Sequence, residues 1–338
     1  MIRKSLCGLT ADEILDLIRP SGFTAAHAVL VSNGIYKKRI SHIRLIPKIP
    51  SQLKQELLNK TISGIYLPLA SEVSADKSVK YLFRTETGKL FETVYIPDNK
   101  RDTVCVSTQS GCRMGCSICF TATYGFRGNL TAGEIVNQII SIPQACKITH
   151  VVFMGMGEPM DNLENVLKAC RIITAEWGLS ISSRNVTIST VGIMPGVEQF
   201  LQKSDCNLAL SLYSPFTEER KKIVPIENQY PVRMIIDMMK NFQIKKKRRL
   251  SLAYIMIKDL NDTDHHLEEL KFILKGSLIR VNLLSYHPAL NDQNCSSSAE
   301  RMHFFKHKLI ISGISASIRK SRGTDISAAC GLLAAGLE

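Results

Sequence analysis

Cys105-Val-Ser-Thr-Gln-Ser-Gly-Cys112-Arg-Met-Gly-Cys116-Ser-Ile-Cys119 is the stretch on which the reading of this chain turns. It sets three thiols at C-x3-C-x2-C spacing, with a fourth a short way upstream. Thiolates are soft ligands, and closely spaced ones suit zinc or an iron–sulfur cluster. A closed tetrahedral zinc site needs four ligands, and no Cys or His follows within the next several residues. Three ligands on a four-iron cluster leave one iron open to a reacting molecule. The remaining chain then reads as a scaffold that brings a cosubstrate, a nucleic acid and one distant cysteine to that iron.

The bulk numbers fit this reading. The 338 residues suffice for one large domain with a small appendage. Hydrophobic content of 45% and charged content of 22% are those of a globular protein. A net charge of +13 favours a polyanionic partner such as RNA, although a solubility charge accounts for it equally well. The N-terminus lacks the apolar core of a secretory signal, and no apolar run is long enough to span a bilayer. A cytoplasmic protein is therefore expected, with no membrane contact. Ten cysteines without such a signal argue for reduced thiols rather than a disulfide framework. Cys7, Cys146, Cys170, Cys206 and Cys295 read as small buried hydrophobes or incidental surface thiols.

Outward from the cysteine stretch, the chain divides near residue 97. Residues 1–97 read as a small helical accessory domain plus a strand hairpin. Thr10-Ala-Asp-Glu13 is a capping signature, and Ile14, Leu15, Leu17 and Ile18 follow at helical spacing. Further helices are expected over 25–33 and from Pro50 through Leu58. Lys37, Lys38 and Arg39 are candidates for nucleic-acid contact. Ser78–Arg84 and Leu90–Ile96 read as hairpin strands around Gly88. Residues 98–338 alternate strands and helices. Strands are expected at 104–107, 149–154, 184–190, 208–213, 249–256 and 279–285, each followed by a helix, with a last strand over 316–320. Six βα units with continuously apolar strands predict a parallel sheet buried on both faces, and in such folds functional groups gather at the C-terminal strand ends. The cysteine loop, Gly155-Met-Gly-Glu-Pro, Ser189-Thr-Val-Gly and Ser211-Leu-Tyr-Ser-Pro all fall there, with Asn282 on the sixth strand.

C-x3-C-x2-C on the loop after the first strand resembles the radical-SAM superfamily. The remaining motifs sharpen the match. They are Cys105-Val-Ser-Thr-Gln-x-Gly-Cys, Phe153-Met-Gly-Met-Gly-Glu-Pro-Met-x-Asn, Ser189-Thr-Val-Gly-Ile-x-Pro, Ser211-Leu, Val224-Pro-Ile and Asp325-Ile-x-Ala-Ala-Cys-Gly. Together, from about Leu9 to Gly331, they resemble the RlmN/Cfr family of ribosomal RNA adenosine methyltransferases. The resemblance implies a partial (βα)6 TIM-type barrel of α/β class with the helical domain and short β extension attached. It also implies that Cys112, Cys116 and Cys119 ligate a 4Fe–4S cluster whose open iron binds S-adenosylmethionine (SAM). Gly157, Glu158, Ser189, Ser211, Leu212, Tyr213 and Asn282 would hold SAM. Cys330 would carry the methyl group, Cys105 would be its partner, and Glu92 matches the position of a proton acceptor. Read without the resemblance, Glu92 is an exposed strand residue.

The implied reaction methylates C2 of an adenosine in 23S rRNA, and possibly tRNA, through an S-methylcysteine, with two SAM per turnover. An electron-poor amidine carbon cannot attack a SAM methyl, whereas a thiolate can. A radical then takes hydrogen from the methylated Cys330, and the carbon radical adds to the ring. Loss of the ring proton releases the product and leaves a Cys105–Cys330 disulfide. An external electron donor and a thiol reductant are therefore expected partners, the enzyme acting as a monomer. The base must leave its stack to reach such a pocket. Lys245-Lys-Lys-Arg-Arg249 and Arg319-Lys-Ser-Arg322 are candidate phosphate contacts, the first run also reading as a solvated turn.

The chain departs from the family at two places. Ile118 stands where an aromatic is usual before the third cluster cysteine, and Tyr213 where His usually follows Ser-Leu. Ile118 would still provide an apolar wall. Gly-Glu-Pro resembles the C2 branch, while Ser214-Pro-Phe-Thr-Glu-Glu-Arg220 resembles the C8-methylating, antibiotic-resistance branch, which remains the alternative. The other rivals are a radical-SAM enzyme acting on a peptide or metabolite, and a non-catalytic RNA-binding protein with structural zinc.

Overall fold

The computed structural model describes residues 3–99, 101–243, 248–288 and 293–334. Helices Ala11–Ile18, Ala25–Tyr36 and Ser51–Lys60 form the N-terminal part. The first carries the expected capping box. Thr10 Oγ1 accepts from the Glu13 amide at 3.3 Å and the Glu13 carboxylate accepts from the Thr10 amide at 2.8 Å, which satisfies two otherwise orphaned donors. Ion pairs of Lys168 with Glu13 at 2.6 Å and Arg171 with Asp12 at 2.5 Å join this helix to the helix Leu163–Thr174. Both are partly solvated, so they orient the two helices more than they stabilise them. Lys4–Ser5 and Thr61–Ile62 pair in parallel; strands of two residues have no periodicity for sequence reading to detect.

One sheet of ten strands dominates the described residues. Its seven parallel strands, Thr103–Cys105, His150–Phe153, Val186–Thr190, Asn207–Ser211, Leu250–Met256, Arg280–Ser285 and Ala316–Arg319, stand side by side in chain order. That order, with a helical crossover between neighbours, is the partial (βα) barrel that the alternation predicts. Leu208, Leu210, Leu250, Leu252, Val281 and Leu283 fill the core from these strands. The three antiparallel strands Leu90–Ile96, Val79–Arg84 and Ala70–Val73 continue the sheet beyond the first parallel strand. The hairpin is therefore not separate from the barrel at residue 97. Val94 pairs with Cys105 and Tyr95 with Val104, so hydrogen bonding runs straight across that point.

The two sheet edges are joined by side chains. Asp325 accepts from Ser74 Oγ at 2.6 Å and from the Ala75 amide at 2.9 Å. In return Asp76 accepts from the Gly323 amide at 3.0 Å. These carboxylates tie the turn after Ala70–Val73 to the segment leaving the last parallel strand. No helix among the described residues is long and apolar enough to cross a membrane.

Lys37 and Lys38 are exposed, as a nucleic-acid contact requires. Lys245–Lys247 lie outside the described residues. Arg248 corrects the reading of its run as a solvated turn or phosphate contact. It is buried between the Phe200 and Phe242 rings, at 5.3 and 5.7 Å, and donates to the Leu201 carbonyl at 2.8 Å.

The N-terminal part meets the barrel through backbone. A Cβ on Gly133 would lie 2.4 Å from the Cys7 carbonyl oxygen and 3.5 Å from Gly8 Cα, so no side chain fits between the two segments. Gly133→Ala should therefore destabilise the protein by about 2 kcal/mol through forced separation of the contact. A urea denaturation midpoint shared with wild type would refute the close-approach argument.

Candidate functional site

The C-terminal ends of the parallel strands enclose one cavity. Cys112, Cys116 and Cys119 line it, together with Gly157, Glu158, Ser189, Ser211, Tyr213 and Cys330. Ile118 supplies part of the apolar wall, as expected. Cys116 is buried, while Cys112 and Cys119 are half-buried. Burial pushes the Cys112 thiol up to about 12 and raises Cys116 further. Both are thus neutral thiols unless a cationic centre holds them as thiolates. Among the described residues no three thiol, imidazole or carboxylate groups converge tightly on an ion-sized point. The three thiols share the wall of one space with no fourth thiol but Cys330 on it among the described residues, a soft donor set that fits an iron–sulfur cluster with one iron left open.

Glu158 ends the loop after His150–Phe153 and is buried. Its carboxylate accepts from Thr190 Oγ1 at 2.6 Å, the Met160 amide at 2.9 Å and the Val191 amide at 2.9 Å. The second and third strand ends are thereby locked together. A carboxylate has about four acceptor positions, so one remains for a ligand facing the cavity. Burial dominates its titration and pushes the carboxyl up to about 7. Gly157 beside it has φ +93°, and a Cβ there would fall 2.5 Å from Gln109 Cβ, so the turn depends on glycine.

The fourth strand end is organised from below by Arg220, which has no solvent-exposed surface. Its guanidinium donates to the Leu212 carbonyl at 2.9 Å, the Ser211 carbonyl at 3.0 Å and the Val191 carbonyl at 2.6 Å, and it is paired with the buried Glu227. Tyr213 adopts φ +62°, and its carbonyl accepts from Asn261 Nδ2 at 2.7 Å. These contacts hold a bulky residue in a left-handed conformation it would otherwise avoid.

Cys330 is exposed on the cavity lip. Its segment is held by the cysteine loop and the hairpin. The Phe120 amide donates to the Gly331 carbonyl at 2.8 Å, Thr121 Oγ1 to the Leu333 carbonyl at 3.0 Å, and the Ala334 amide to Glu92 Oε2 at 2.6 Å. Cys105 lies at the end of the first parallel strand, in register between Val94 and Val152, and is buried outside the cavity lining. Burial, and then the neighbouring Cys330, push its thiol above the ordinary range. Both thiols are free in this structure.

Three sequence expectations need correction. Glu92 is not an exposed strand residue but is 4% exposed, with Lys80 at 3.6 Å and its carboxyl raised by burial. Asn282 does not line the cavity. Its Oδ1 accepts from Ser317 Oγ at 2.9 Å, and the end of its strand contributes Leu284 and Ser285 instead. Leu212 is wholly buried and contributes backbone alone. Sequence reading also missed Arg220, Glu227 and the Asp76–Asp325 clasp. Asp325 had a signal, since it belongs to the Asp325–Gly331 motif, but its partners lie some 250 residues away.

Comparison with known proteins agrees with this geometry. Residues 106–272 match the profile of the radical SAM superfamily. A probable dual-specificity RNA methyltransferase RlmN from Parabacteroides distasonis is 40% identical over 332 residues, covering 98% of this chain and 96% of the relative. The dual-specificity RNA methyltransferase RlmN of Syntrophotalea carbinolica is 35% identical, covering 98% and 90% respectively. A crystal structure of a radical SAM methyltransferase from Sphaerobacter thermophilus superposes with a TM-score of 0.90 at 33% identity, covering 98% of this chain and 99% of that one.

Removing one partner of a buried ion pair strands the other charge. Glu227→Gln should therefore cost about 3 kcal/mol or more, read as a lowered denaturation midpoint. A change within experimental error would mean that the three carbonyls alone satisfy Arg220.

Proposed function

This chain belongs to the radical SAM superfamily and, within it, to the RlmN family of RNA methyltransferases, and from that premise we propose that it methylates C2 of an adenosine in 23S rRNA and in tRNA. The observation that carries the proposal is the docking of the Cys330 segment, from the far end of the chain, onto the cysteine loop through Phe120 and Gly331. A radical enzyme without a carrier thiol has no use for that contact, so the reading of a peptide or metabolite substrate loses its support. The relatives carry the name of the C2 branch, which favours C2 over C8.

In this reading Cys112, Cys116 and Cys119 hold the 4Fe–4S cluster. Gly157, Glu158, Ser189, Ser211 and Tyr213 face the SAM, while Leu212 and Asn282 support the strand ends behind them, through Arg220 and Ser317. When bound, the cluster and SAM supply a transferable methyl group and the means to remove one hydrogen from it. Cys330 takes the methyl as a thioether and delivers its carbon to the base. Cys105, a neighbour of Cys330, releases the product by forming a disulfide with it, which an external thiol reductant must reopen. Glu92 is the proton acceptor, and burial helps by raising its carboxyl toward the working pH. The helical part of residues 1–97 acts as an RNA-contacting accessory part, while the hairpin, which continues the sheet and carries Glu92, works with 98–338 as the catalytic core. The enzyme works in the cytoplasm as a monomer, with an external electron donor.

Two outcomes test the assignment. Cys105→Ala expressed in cells should accumulate protein covalently bound to RNA through Cys330, detected by nuclease digestion and peptide mass spectrometry. A variant with an intact cluster absorbance and no RNA adduct would defeat the two-thiol mechanism. Glu158 gives the second. Only its ionised form attracts the SAM ammonium, so SAM affinity should rise with pH through about 7, and Glu158→Gln should bind weakly with no such dependence. The effect on folding has the opposite sign. The native carboxyl keeps its proton up to about 7 while the unfolded one releases it near 4.5, so the Glu158 contribution to stability declines across that interval as pH rises.

A further inference from the structure

Between Cys119 and the next barrel helix the chain makes an excursion whose first residues, Phe120 and Thr121, hold the Cys330 segment and whose remainder has no part in the proposed chemistry. It consists of the helix Phe120–Tyr124, a turn, and the strand Gly128–Asn129, which pairs with Gln109–Ser110. Two arginine–aromatic pairs form on it, Arg127 with Tyr124 within the excursion and Arg113 reaching Phe126 from the cysteine loop. The Arg113 guanidinium lies 4.2 Å from the centre of the Phe126 ring, and that of Arg127 lies 4.7 Å from the centre of the Tyr124 ring. Phe126 is 37% exposed, and both arginines are exposed. An apolar ring left in solvent under a guanidinium, whose arginine stands between the cavity-lining Cys112 and Met114, is not the ordinary outcome of core packing.

The excursion is also fixed relative to the carrier thiol. Its Phe120 amide holds the Gly331 carbonyl, the residue after Cys330, and Thr121 holds Leu333. At the other end Gln109 Nε2 donates to Asn129 Oδ1 at 2.8 Å and the Arg127 amide to the Ser110 carbonyl at 2.8 Å. The excursion that carries Tyr124, Phe126 and Arg127 is thus tied at its start to the segment that carries Cys330.

Resting on the RNA-methylating reading above, we propose that Arg113–Phe126 and Arg127–Tyr124 form a stacking platform for the unpaired nucleotides that flank the extruded adenosine. Extrusion of one base costs its neighbours a stacking partner, and flat π surfaces replace that partner without regard to sequence. The two pairs differ in charge. Arg113 is neutralised by Asp161, its Nε 2.7 Å from Oδ2, and that bond holds its plane in place. Arg127 has no carboxylate partner among the described residues, so its charge is available to a phosphate while Arg113 offers a surface alone.

The asymmetry makes the test specific. Binding of an unmodified 23S rRNA transcript would be titrated at several salt concentrations, with cluster absorbance and RNA-free cleavage of SAM recorded for each variant. Phe126→Ala and Phe126→Leu should each weaken RNA binding about tenfold, as loss of one stacked base does, with an unchanged salt slope and intact SAM cleavage. Arg127→Gln should weaken binding and lower the slope of log affinity against log salt by about one. Arg113→Gln should weaken binding without changing the slope. Wild-type affinity in Phe126→Leu would overturn the platform, because packing and not stacking would then be the role of the ring. An equal slope change for both arginines would overturn the division of labour. Failure of the wild-type protein itself to bind or methylate the transcript would instead defeat the RNA reading on which the proposal rests.

Discussion

Everything at the mouth of this barrel depends on how the far end of the chain is brought back to its middle. The seven parallel strands leave an open side, with Ala316–Arg319 at one sheet edge and Ala70–Val73 at the other. The chain crosses that gap by hydrogen bonding and not by closing the barrel. Asp325 takes the Ser74 hydroxyl and the Ala75 amide while Asp76 takes the Gly323 amide. Such bonds hold Asp76 down to about 2 and Asp325 below the usual carboxylate range, so both stay ionised at neutral pH, where charge-assisted bonds are strongest. Past this clasp only four residues separate Asp325 from Cys330. Their path is fixed further by Phe120, Thr121 and Glu92.

The antiparallel hairpin thereby acquires a purpose that its sequence does not announce. Its strands extend the sheet, the Ser74–Asp76 turn leading into it anchors the tail, and its Glu92 receives the Ala334 amide. One carboxylate thus sits where it can serve both as a brace for the tail and, on the proposed mechanism, as a proton acceptor. The two roles are linked physically. A carboxylate that has gained a proton is a weaker acceptor, so proton uptake by Glu92 loosens the contact to Ala334. That residue is held at φ +80°, a conformation costly for alanine.

Sequence reading recovered the barrel because its signals are local. Apolar strands, capping boxes at Thr10 and Thr131 and turn residues at strand ends each state their role within a few positions. The three cavity thiols and Gly157–Glu158 were legible for the same reason. What escaped was relational. Arg220 lies in a charged run of the kind that normally faces solvent, and only its three carbonyl partners and Glu227 explain its burial. Glu92 is a charged residue on a strand, a type that ordinarily faces solvent, and its carboxylate is instead met by the tail at Ala334. Asn282 was placed at the cavity by its strand, but its side chain turns to the adjacent strand and Ser317.

The thiol pair illustrates how burial can set the order of a reaction. Cys105 and Cys330 are neighbours and both reduced. Only a thiolate attacks quickly in thiol–disulfide chemistry, and burial raises Cys105 and Cys330 alike, so access decides between them. Cys330 sits at the cavity lip, open to an incoming methyl donor. On the proposed mechanism the exposed thiol therefore reacts first and the buried one last. Cys105 ends the strand from which the cysteine loop leaves, a neighbour of Cys330 but outside the cavity lining, which on the proposed mechanism keeps the resolving thiol apart from the SAM.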